Sequence, residues 1–219
     1  ERVRWLPKKV DGPLLIANIP AFQLYGFKDG ATLGKPDLVL NVVVGKANSK
    51  HKTPVFNADM KHVIFSPYWN VPANIAKNEL LPIIRRNPGY LARKNMEMVK
   101  TSSGVRIRQR PGRGNALGGV KFMFPNKYSV YMHDTPSKGL FGRSVRAFSH
   151  GCVRVQHPEK LAQFILEDQG EWSLERIKKS MHRTRQRHVE LEKPVPVYIF
   201  YATTWIGEDG KMHFYNDIY

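Results

Sequence analysis

Apolar residues between Pro13 and Gly45 fall in short runs divided by turn residues: Pro13–Ile19, Phe22–Phe27 and Leu38–Gly45. Short runs of this kind, bounded by Gly, Pro, Asn and Asp, predict strands. Lys28-Asp29-Gly30 reads as a hairpin-type turn after the second run. Leu38–Gly45 is β-branched and nearly continuous, the pattern of a strand covered on both faces. After the turn-rich Lys46–Thr53, Val63-Ile64-Phe65 predicts a further short strand.

The texture then changes. From Ala73 to Asn95 apolar residues stand at Ile75, Leu80, Leu81, Ile83, Ile84, Tyr90 and Leu91, a spacing that predicts two short helices broken at Asn87-Pro88-Gly89. A helical insert between strands suits a lid or capping subdomain; an ordinary crossover is the plainer alternative. Strand texture returns at Met96–Thr101 and Val105–Gln109. Pro111–Gly119 is glycine-rich yet lacks the terminal Lys-Ser/Thr pair of a phosphate loop, so it reads as a tight, backbone-exposing loop. Val120–Phe124, Tyr128–His133 and Cys152–Val155 follow as strands. Pro158–Glu167 predicts a helix opened by proline, and Ser173 caps another that runs to about His182. Val195–Thr203 closes the chain as a strand. The expected class is mainly β (α+β).

The 219 residues are 42% hydrophobic, enough for a sizeable core, and no stretch reaches the ~20 apolar residues of a membrane span. The chain opens at Glu1 without a signal-like run, which suggests a fragment or processed form. Against 18 Asp+Glu stand 35 Lys+Arg, a formal charge of +17, so polyanions are attracted: nucleic acid, anionic lipid or an anionic wall polymer. No helix-turn-helix, zinc-finger or RNP pattern supports nucleic acid. The basic stretch Arg176–Arg187 reads first as a solvated helix face.

One cysteine excludes an internal disulfide and draws attention to itself, because Cys152 sits in Ser149-His150-Gly151-Cys152-Val153-Arg154. A thiol becomes a nucleophile when an imidazole takes its proton. His133 ends a separate predicted strand and can approach from beside the thiol, whereas His150, two residues away, suits a supporting role. Asp134 or a main-chain carbonyl would orient the base. Gly151 frees backbone N–H groups for an oxyanion hole. Buried packing is the plain reading of the cysteine, a half-buried strand aromatic that of Tyr131, ion pairing that of Arg154, and core packing that of Trp69. The eight histidines offer no metal-ligand spacing, and no metal or cofactor is expected.

His133, fifteen intervening residues, then Ser149-His150-Gly151-Cys152-Val153-Arg154 is similar to the motif of the YkuD-type L,D-transpeptidases. Pro67–Pro72, Arg86–Ala92, Gly114–Gly118 and Tyr131–Pro136 resemble the YcbB-like subgroup, and the likeness runs from about Arg4 to the C-terminus. It implies a β-sandwich of mixed sheets spanning 1–219, with a helical capping subdomain inserted at about 67–110 and short C-terminal helices. Relatives add an N-terminal membrane anchor, a scaffold domain and a peptidoglycan-binding domain, none of which is expected within these 219 residues. The implied enzyme is a periplasmic cysteine acyltransferase of the cell envelope. Cys152 attacks a tetrapeptide donor stem, releases D-Ala, and the thioester is resolved by a diaminopimelate amine to give a 3→3 crosslink. His133 shuttles the proton; Gly151, Cys152 and Tyr131 supply oxyanion donors. Arg154, Ser149, His150, Asp134, Trp69 and Tyr68 are expected around the substrate. Carbapenems are expected to acylate the thiol. Water in place of the amine would make an L,D-carboxypeptidase or endopeptidase. Many members carry Gly or Ser after the base histidine and use the backbone carbonyl as orienter; Asp134 departs from that pattern.

Overall fold

The computed structural model describes residues 11–29, 35–48, 50–102, 104–206 and 209–219. Eight strands form a ring: β3 (Leu38–Gly45), β11 (Val153–Val155), β9 (Met132–His133), β8 (Val120–Met123), β4 (Phe56–Phe65), β12 (Arg187–Phe200), β1 (Leu14–Asn18) and β2 (Gln23–Phe27), which pairs back onto β3. A ninth strand, β10 (Ala147–Ser149), lies parallel to the end of β3. The expected mixed-sheet sandwich is therefore one sheet folded over and closed on itself, with β1–β12 and β9–β11 parallel and the other pairs of the ring antiparallel.

Alternation along the strands fills the interior. Leu15 and Ala17, Leu40 and Val42, Val63 and Phe65, Val120 and Phe122, Val153 and Val155 point into one shared core. The helix Pro158–Leu166 (α4) seals it with Leu161, Ala162, Ile165 and Leu166. Its companion Leu174–Met181 (α5) adds Ile177 and begins at Ser173, whose hydroxyl accepts from the Arg176 N–H. Arg176–Arg187 is thus helical only to Met181, and Arg187 already belongs to β12.

Three strand expectations change. β4 begins at Phe56, because Phe56–His62 alternates inward and outward rather than forming a continuous apolar run. β12 begins at Arg187 for the same reason. The strand expected over Tyr128–His133 shrinks to its last two residues: Ser129 has φ +55°, and the Asn126 amide donates to the Phe124 and Val130 carbonyls, holding a turn. The connection after β2 runs from Lys28 to Asp37, with the Lys28 N–H on the Asp37 carboxylate; Gly30 of the expected turn lies outside the described residues.

Residues 67–110 leave the main sheet after β4 and build a separate unit. It holds a small sheet in the order β5 (Trp69–Asn70), β7 (Gly104–Gln109), β6 (Met96–Thr101). Against it lies a helical run of α1 (Ala73–Ile75), a π-type segment Ala76–Leu80 and α2 (Leu81–Arg86), then α3 (Tyr90–Arg93) beyond the expected break at Asn87–Gly89. Pro82 has no N–H to return to the preceding turn, which fits the widened π segment just before it. Val71, Leu80 and Ile107 form this unit's own core, with Trp69 packed on it.

Candidate active site

β9 and β11 are parallel and in register, with Met132 beside Val153 and His133 beside Arg154. Met132 and Val153 point into the core, so Tyr131, His133, Cys152 and Arg154 share the outer face. β8 extends the row, placing Lys121 directly beside His133. The expected nucleophile and base therefore share one face, two residues apart in register on neighbouring strands.

The turn carrying Cys152 is held from several sides. Ser149 Oγ donates to the Cys152 carbonyl at 2.5 Å and accepts from the Gly151 N–H at 3.0 Å. Gly151 has φ +115°, which a side chain seldom adopts. Its carbonyl accepts from Thr53 Oγ1 at 2.8 Å, and Thr53 Oγ1 also takes the Gly45 N–H at 2.8 Å. Tyr219 donates its hydroxyl to the Gly45 carbonyl and accepts from the Thr53 N–H. Thr53 braces the turn, yet nothing in its turn-rich sequence context points to that role.

One expectation at the oxyanion position is revised. The Gly151 N–H is committed to Ser149, whereas among the described residues no bond engages the Cys152 N–H. Tyr131 lies beside the Cys152 sulfur, close enough for each to shift the other's proton affinity. Burial, then the neighbouring Cys152 charge, pushes the Tyr131 phenol up, so it stays a donor at all working pH.

His133 is 6% exposed, and its Nδ1 lies against the Asp134 main-chain carbonyl. A carbonyl only accepts, so Nδ1 carries the proton and Nε2 is left as the basic nitrogen. The Asp134 carboxylate is turned elsewhere: it accepts from the Gly119 and Thr135 N–H groups and pairs with the Lys138 ammonium. The Asp134 main-chain carbonyl, not its carboxylate, holds the His133 ring.

Burial, reinforced by the Arg154 charge, lowers His133 from 6.5 to about 4. Burial raises the Cys152 thiol, opposed by the neighbouring Tyr131 and the Arg154 charge. The resting pair is therefore a thiol and a neutral imidazole rather than the thiolate–imidazolium pair expected from sequence. Among the described residues no hydrogen bond joins them, and the thiol's recorded acceptor is the Ser129 carbonyl at 4.0 Å.

The remaining residues divide. His150 is not beside the thiol as a base: its Nε2 meets Glu79 Oε1 of the insert at 2.9 Å and its ring sits edge-on to His51 at 4.5 Å. Arg154 Nε is buried without a partner, and no ion pair engages the guanidinium among the described residues. Tyr68 lies under the Arg108 guanidinium at 4.4 Å, and Trp69 packs into the insert. Lys121 is the addition that sequence reading missed; it passes for the polar position of an alternating strand until β8 is known to flank β9.

A family model described as YkuD, the L,D-transpeptidase catalytic domain, matches residues 12–199. The chain is 31% identical over 236 aligned residues to a Haemophilus influenzae protein described as a candidate L,D-transpeptidase, covering 100% of this chain and 46% of that one. It thus spans about half the length of that relative. Among solved structures it is similar to an L,D-transpeptidase from Mycobacterium smegmatis, with 15% identity, TM-score 0.42, and 84% and 58% of the two chains covered. It is also similar to L,D-transpeptidase 3 from Mycobacterium tuberculosis in complex with a faropenem-derived adduct, with 13% identity, TM-score 0.40, and 85% and 60% covered. With nearly all of the closed sheet and its outer-face row inside the matched residues, the chain belongs to the YkuD family of L,D-transpeptidase catalytic domains.

Proposed function

We propose that this domain forms 3→3 crosslinks in peptidoglycan of the bacterial envelope, with Cys152 as nucleophile and His133 as base. The observation that carries the reading is the shared outer face of β9 and β11, with His133 Nδ1 on the Asp134 carbonyl and Nε2 left basic. Cys152 Sγ bonds to the carbonyl carbon of the third stem residue while its proton passes to His133 Nε2. The carbonyl electrons collect on oxygen, which the Cys152 N–H and the Tyr131 hydroxyl are available to meet. Collapse breaks the C–N bond, the proton goes from Nε2 to the departing D-Ala amine, and a thioester remains. A diaminopimelate amine of a second stem then attacks, gives its proton to Nε2, and expels the sulfur, which recovers that proton.

A neutral resting pair suits this sequence, since the proton need move only when a carbonyl is in place. Gly151, Ser149 and Thr53 act by fixing the turn, and residues 67–110 act as a cap fastened by Glu79 to His150. Such a cap favours an amine acceptor over water.

The test is incubation with tetrapeptide muropeptides and, separately, a carbapenem followed by intact mass. Crosslinked dimer and a single adduct, both lost in Cys152→Ala, are expected. Tripeptide alone would replace transfer with hydrolysis, and an adduct on Cys152→Ala would remove the nucleophile.

A further inference from the structure

Lys121 and Arg154 flank His133 from its two neighbouring strands, one in β8 and one in β11. Lys121 Nζ lies 5.9 Å from the centre of the Tyr131 ring, which neighbours Cys152. Both side chains are half-buried, and among the described residues neither forms an ion pair or hydrogen bond. Burial pushes the Lys121 ammonium down, and burial likewise leads for Arg154, where the Cys152 charge opposes it. Two desolvated cations beside a neutral imidazole are unfavourable unless an anion joins them. Arg154 Nε, buried with nothing to donate to, marks where such an anion accepts.

We propose that Lys121 and Arg154 form a carboxylate-binding pair that recognises the donor stem, with Lys121 a specificity-determining, substrate-binding residue. The proposal rests on the donor-stem reading above. A guanidinium offers the paired donors a carboxylate takes up, and the ammonium supplies a second charge from across the imidazole. Two carboxylates of a stem could fill the place: the terminal one on the departing D-Ala, or the one on the side chain of the third residue.

The experiment compares kcat/KM for three soluble donors on the intact chain: the free-acid stem, the stem amidated at its C-terminus, and the stem amidated on the third residue's side chain. Wild type is expected to disfavour one amide by at least about tenfold, which identifies the carboxylate bound. Lys121→Met should lose about tenfold on the free acid, leave that amide unchanged, and so abolish the preference; Lys121→Arg should restore most of it. Lys121→Met should also raise Tm, because it removes an unpaired cation from a half-buried position. Equal loss on all three donors, no loss on any, or a lowered Tm with no change in preference would each overturn the proposal. Should wild type turn over no stem, the transpeptidase reading fails separately. The pair is then read from acylation by a carbapenem and by its carboxylate ester, with Lys121→Met slowing only the acid; equal rates would overturn it.

Discussion

His133 donates its Nδ1–H in a hydrogen bond to the main-chain carbonyl of Asp134, while the Asp134 carboxylate serves the Gly119 and Thr135 N–H groups and the Lys138 ammonium. Orientation of the base and anchoring of the neighbouring loop are thus separate tasks within one residue. Asp134→Ala should leave the tautomer of His133 in place but strand those donors. The expected loss is about 1–3 kcal/mol of stability, with carbapenem acylation at permissive temperature slowed less than tenfold. Urea unfolding beside single-turnover acylation separates the two; a collapse of acylation at unchanged stability would return the orienting role to the carboxylate.

Gly118 sits under that carboxylate. A Cβ there would lie 2.2 Å from Asp134 Oδ2, and the backbone has φ +60°. Gly118→Ala should therefore cost several kcal/mol and displace Asp134 together with the base beside it. Thermal unfolding should show a lowered Tm; a wild-type Tm would mean the loop absorbs the methyl.

Buried and neutral, His133 carries a pH signature. Folded, it takes a proton only at about 4 instead of 6.5. Between those values the unfolded chain binds more protons, so this contribution to stability is complete above 6.5 and disappears as pH falls to about 4. It amounts to roughly 3 kcal/mol. Urea midpoints from pH 7 to 4 should fall in wild type by this margin beyond those of His133→Gln. The acid limb of the acylation rate should likewise lie near 4, and a limb near 6.5 would contradict the burial argument.

Glu79 and His150 join the insert to the nucleophile turn through an exposed pair, so removing it should change stability by less than about 1 kcal/mol. Partition of the thioester should respond instead. Glu79→Ala is expected to raise the tripeptide-to-dimer ratio several-fold, and Glu79→Gln, which can still accept from Nε2, should stay near wild type. An unchanged ratio in Glu79→Ala would detach the insert from acceptor choice.

Much of this was legible in the chain. Continuous or proline-capped segments such as Leu38–Gly45 and α4 announced themselves, and the break at Asn87–Gly89 fell where turn chemistry put it. Cys152 and His133 stood out by residue type and context. Half-exposed alternation hid the first half of β4 and of β12, and an Asn126-centred turn shortened β9, because each depends on a partner strand or a side-chain bond that no local pattern displays. The same limit concealed Thr53 and Lys121: their significance lies in what the closed sheet sets beside them. Protonation states were also beyond reach, since burial, not residue identity, keeps the resting thiol and imidazole uncharged.

Because β11 is hydrogen-bonded along both edges, to β3 and β9, the strand leading away from Cys152 has no free side along which to slide. Amide exchange at Val153 and Val155 should accordingly be among the slowest in the domain, and binding a stem should leave it unchanged. Adaptation to successive substrates then falls to residues 67–110, a movable wall over a rigid hearth.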